Sequence, residues 1–106
     1  MQKEMKLKCR VGRIDDVGRF PCTSKLFDGT EFTVHVLEHD VLLTEELTED
    51  KSHVDGWMLV VQEGQQGDRV AVTLPHPSDK HGRQVTVNQY DVLPRNLSID
   101  SFNPQN

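Results

Sequence analysis

Two alternating apolar segments meet at Asp28-Gly29, and this constrains the chain more than any other feature. Residues 19–27, RFPCTSKLF, and 30–38, TEFTVHVLE, have the period of two that sends successive strand side chains to opposite faces. Glycine tolerates the positive φ of a primed turn, so Asp28-Gly29 reads as a two-residue hairpin turn. In the return strand Phe32, Val34 and Val36 face inward, and Glu31, Thr33 and His35 face out. Residues 6–14, KLKCRVGRI, repeat the pattern, with Leu7, Cys9 and Val11 inward and Lys6, Lys8 and Arg10 outward. Asp15 to Gly18 is a turn between these strands, and Pro21 marks a strand edge or start.

The second half supplies three more strands. Residues 57–62, WMLVVQ, are mostly apolar, as in a strand covered on both faces. Residues 69–74 alternate with Val70, Val72 and Leu74 inward, and residues 83–88 with Val85 and Val87 inward. Between 74 and 83 lies a Pro/Gly-bounded loop; 89–94 is a tight 3₁₀ or β turn, and 95–106 is a polar tail. Residues 39–56 break the alternation. They are acidic, with apolar residues bunched at 41–43, and read as a short helical or loop insertion that Asp40 or Thr44 caps.

Six short antiparallel strands in 106 residues predict a mainly β, single-domain small barrel. The back half resembles in pattern the terminal part of an SH3-like barrel, and an OB-like barrel is the alternative. The expected core adds Phe20, Cys22, Leu26, Leu59 and Val61 to the inward residues above. Cys9 and Cys22 share the inward face, which allows a disulfide but favours two buried thiols. No apolar run approaches a membrane span and the N-terminus lacks a signal-peptide core, so a cytoplasmic protein is expected.

Charge narrows the function. The net charge is −5, unevenly spread. Residues 1–14 hold five bases and one acid, a net +4, whereas residues 15–56 hold three bases and eleven acids, a net −8. General DNA binding needs a concentrated positive face, which a pI near 5.4 argues against. The local exception is the outward row Lys6, Lys8 and Arg10, on which a nucleic-acid-binding reading would rest.

Motifs for chemistry are sparse. The spacing of acids lacks a calcium loop, and there is no nucleophile elbow, CxxC or phosphate loop. A metal-dependent hydrolase would draw on His76, Asp79 and His81, which one loop holds together. His35 and His39 lie ~13 Å apart along a strand, too far to share an ion. The expectation is therefore a non-catalytic binding or accessory module without a cofactor, a monomer or weak homodimer. Its partner is another protein, met through a strand edge and the acidic stretch. The contact residues expected are Phe27, His39, Asp40, Glu45, Glu46 and Tyr90.

Overall fold

The expected strands form, and two further short ones join them. In the computed structural model, which describes residues 3–44 and 51–94, the order is β1 (Lys3–Gly12), β2 (Arg19–Lys25) and β3 (Glu31–Leu37). A 3₁₀ turn (Glu38–Asp40) leads into β4 (Val41–Leu43), followed by β5 (His53–Gln66), β6 (Arg69–Ser78) and β7 (Gly82–Asn88). A second 3₁₀ turn (Gln89–Asp91) precedes β8 (Val92–Pro94). No helix among the described residues is long and apolar enough to cross a membrane.

Strands β1, β2, β3, β6 and β5 close a ring, every joint of which is antiparallel. Straight strands cannot alternate direction around a ring of odd number, so one strand has to turn. That strand is β6. Its residues 69–73 pair with both β5 and β7, then the register shifts, and Ser78 alone meets Val34 of β3. Pro75 and Pro77 occupy the bend, where missing N–H groups cannot sustain a ladder. The freed carbonyls of Leu74 and Pro75 accept instead from the Arg83 guanidinium, at 3.2 and 3.4 Å.

β1 pairs along its whole length with β5, from Lys3–Gln62 to Gly12–His53. Its other edge is shared: Met5 to Leu7 pair with β8, and Arg10 and Val11 pair with β2. Pro21 stands where the β1–β2 ladder stops, beside Gly12, so its missing N–H breaks no bond. The core is built as the alternation requires, from Leu7, Cys9, Val11, Cys22, Phe32, Val34 and Val36 of the first half and Val70, Val72, Leu74, Val85 and Val87 of the second. Phe20 and Leu26 pack at its margin, only partly buried. Ser24 also points inward, and its hydroxyl donates to the Lys8 carbonyl at 2.8 Å, which satisfies it there.

Strand β5 has the opposite face inward from that expected. Val54, Met58 and Val60 are buried, while Leu59 and Val61 lie on the outer face, half-buried. A run of apolar residues carries no parity. The strand in fact begins at His53, and the exposed His53 and Asp55 decide which side meets water.

The stretch 39–56 also differs in detail. Among its described residues the helical part is the 3₁₀ turn, and strand structure occupies 41–43 and 53–56. Thr44 caps no helix; its N–H and hydroxyl both donate to the Asp55 carbonyl, at 3.2 and 2.7 Å, extending the β4–β5 pairing. Residues 45–50 and the tail 95–106 lie outside the described residues. The loop expected between 74 and 83 shrinks to a turn, because β6 runs on to Ser78, whose hydroxyl donates to the Gly82 carbonyl and accepts the His81 N–H.

Two measurements test this arrangement. Met58→Ala should cost ~2–5 kcal/mol in a urea unfolding titration, whereas Leu59→Ala, on the half-covered face, should cost less than about 1.5 kcal/mol. Gly56 sits under β4, where an added Cβ would lie 2.7 Å from the Leu42 carbonyl oxygen and 2.9 Å from Val11 Cγ2. Gly56→Ala should therefore destabilise the fold by ~1–3 kcal/mol and weaken amide protection in β4.

Candidate docking groove

The turn after β2 shapes a groove on the surface. Asp28-Gly29 is not a two-residue loop. Leu26 N–H donates to the Thr30 carbonyl at 2.8 Å and Gly29 N–H to the Leu26 carbonyl at 2.9 Å, so Phe27, Asp28 and Gly29 all lie in the loop. Gly29 takes φ +92°, which closes a three-residue turn. Asp28 accepts the Thr30 N–H at 2.9 Å, and this bond holds its carboxyl below the ordinary carboxylate range; His81 adds a smaller favourable field.

Because Phe27 belongs to the turn, it leaves the barrel strand and reaches across to β7. Its N–H donates to the Thr86 carbonyl at 2.9 Å. Its ring lies under the Arg69 guanidinium, with Cζ 4.6 Å from the ring centroid. The space beside this pair is a groove of about 710 Å³. Gly64 and Ala71 form its floor, Gln65, Gln66 and Gln84 its amide walls, and Asp28 and His81 its rim.

β7 closes one side of the groove and, among the described residues, has a strand neighbour on one side only. On the outer edge, the one backbone bond among the described residues is that from Phe27. Antiparallel strands alternate the direction of their backbone groups, so the Thr86 N–H and the N–H and C=O of Gln84 share the edge that Phe27 approaches. These groups face the groove.

The residues expected to contact a partner are divided between places. Phe27 lines the groove beside β7. Tyr90 stands beside it, 79% exposed, on the 3₁₀ turn that Gln89 ties to the groove wall through Gln65 at 3.1 Å. His39 and Asp40, 3.4 Å apart, line a separate groove of about 440 Å³ with Leu59, Val61 and Pro75. Glu45 and Glu46 lie outside the described residues.

The basic row is not a continuous charged track. Lys6 is 5% exposed, with its ammonium 5.0 Å from the Trp57 ring. Arg10 pairs with Glu31 at 3.2 Å. Lys8 and Arg10 share their groove with Asp55 and Asp91, which offset them. Of the metal alternative, Asp79 approaches His35 Nε2, at 4.0 Å, and His35 Nδ1 in turn lies 3.5 Å from Asp15. No group of three metal-ligating side chains forms among the described residues.

Sequence reasoning missed Arg69, Ala71 and Gln84. The alternation marks all three as outward, but only the turn geometry brings Phe27 over to them. The two cysteines are free and buried. Hydrogen bonding with Cys22, then burial and nearby negative charge, push the Cys9 thiol far up, away from reactive thiolate. Comparison with family models, curated proteins and solved structures returned no match. Labelling of Cys9 and Cys22 by an aromatic disulfide reagent should follow global unfolding, becoming fast only in denaturant; rapid labelling of the native protein would contradict their burial.

Proposed function

We propose that this protein is a non-catalytic binding module that docks a partner protein along the outer edge of β7 and in the groove beside it. The observation that carries the reading is an open strand edge next to a preformed concavity. A strand edge offers main-chain hydrogen bonds, and an adjoining pocket selects side chains. Soluble proteins ordinarily guard such edges with charge, proline or a bulge. Here Arg83, the charged residue at the start of β7, is turned back onto the Leu74 and Pro75 carbonyls. Gln84, uncharged, follows it on the edge, ahead of Thr86, whose carbonyl accepts from Phe27.

Several features favour binding over catalysis. The described groups with displaced acidities are a thiol driven towards its inert form and two carboxyls, Asp15 and Asp28, held ionised by backbone N–H donors. A carboxylate so stabilised is a weak general base. The order of β5, β6 and β7, a 3₁₀ turn and β8 returning to β1 favours the SH3-like reading of the barrel over the OB-like one. The acidic stretch expected beside the edge takes no part in this proposal, since His39 and Asp40 line the other groove.

Affinity capture from the native cell with matched variants tests the proposal. Ala71→Arg fills the groove floor without touching the core, and Val17→Ser alters the distant β1–β2 turn. Partners retained by the wild type and Val17→Ser but lost with Ala71→Arg support docking at β7. Capture unchanged by Ala71→Arg, in a variant with an unaltered melting curve, refutes it.

A further inference from the structure

Arg69 gives the groove a chemical preference. Its guanidinium is stacked on Phe27, and Phe27 is itself fixed by the bond to Thr86. Stacking uses a face of the guanidinium and leaves its in-plane N–H donors available. Among the described residues no carboxylate lies within 4.0 Å of it. Acids in this region have other partners: Asp28 accepts from Thr30, Asp68 from Gln89 and Glu63 from Thr73. Other cations are also engaged, Arg10 with Glu31, Arg83 with carbonyls and Lys6 with Trp57. Arg69 thus has its ring support in place and no carboxylate partner among the described residues.

The groove has room for a carboxylate beside Arg69. Ala71 and Gly64 leave the floor beside Arg69 low, and a Cβ added at Gly64 would meet nothing within 4 Å. Side chains of an added strand recur on one face every ~6.6–7 Å, so a segment bonded to the Gln84 edge of β7 sends alternate side chains to the outer face of the sheet, on which Arg69 also lies. We infer that the segment docked at β7 is extended and carries a glutamate or aspartate side chain that pairs with Arg69. This inference rests on the docking reading above. The chain's net charge of −5 gives no long-range attraction for an acidic partner, so the preference is a local one, set by the Arg69 guanidinium.

The probes are capped peptides of alternating valine and glutamate and of alternating valine and glutamine, titrated into the ¹⁵N-labelled full chain. The glutamate peptide should shift the Gln84 and Thr86 amides and the Arg69 Nε–H resonance. The glutamine peptide should shift the same amides with about tenfold or greater weakening, the scale of a lost charge-assisted bond. Arg69→Gln should bring the glutamate peptide down to the affinity of the glutamine peptide, with the remaining amide spectrum confirming the fold. Equal affinity of the two peptides at the Gln84 and Thr86 amides overturns the carboxylate preference and leaves edge docking standing. Glutamate-peptide shifts confined to Lys8 and Lys25 overturn the preference as well. No shift at the edge with either peptide overturns both readings.

Discussion

A closed ring of five straight strands cannot alternate direction at every joint, and the rest of this barrel follows from where one strand bends to absorb that mismatch. β6 pairs with β5 and β7 over residues 69–73, then bends through Pro75 and Pro77 to set Ser78 against Val34. β7 leaves the turn as an overhang on β6 rather than a member of the ring. Among the described residues its outer edge therefore has no strand neighbour and takes the single backbone bond from Phe27. The two points where the β2–β3 hairpin touches this region, Asp79 N–H on the Thr33 carbonyl and Phe27 N–H on the Thr86 carbonyl, bracket the stretch where the groove opens.

Aromatic rings and guanidinium or ammonium groups recur together on the outer surface, as Lys6 with Trp57 and Arg69 with Phe27. The two pairs do different things. Lys6 is nearly buried, so its stem covers the outer face of β5 and its charge lies close against the sheet. Arg69 is exposed and lines the groove beside Phe27. The same chemistry thus covers an apolar strand in one place and equips a groove in the other. The Arg10–Glu31 pair ties β1 to β3 across the mouth of a third groove. Since both of its members are about half exposed, it adds little stability.

Much of this was legible in the amino-acid order. Wherever apolar and polar residues alternate, as in 6–12, 31–37, 69–74 and 83–88, the inward face follows from the period alone, since a half-buried strand has only one way to put its apolar set in the core. The chain therefore determined its β class, most of its core, the inward thiols and the positive φ of Gly29. Tertiary structure decided the parity of β5, where uniformly apolar residues left both faces equivalent until His53 and Asp55 were drawn into the strand. It decided that Val41 to Leu43 pair with β5 across Gly56, a close approach visible only when two distant segments are brought together. And it decided the groove: Phe27 and Arg69 lie far apart in the chain, and only a three-residue turn on one hairpin and the bend of β6 on the other bring ring and guanidinium into contact. Local periodicity reports which face a residue takes; it carries no information about which strand edge another hairpin will reach, because that depends on how the ring closes.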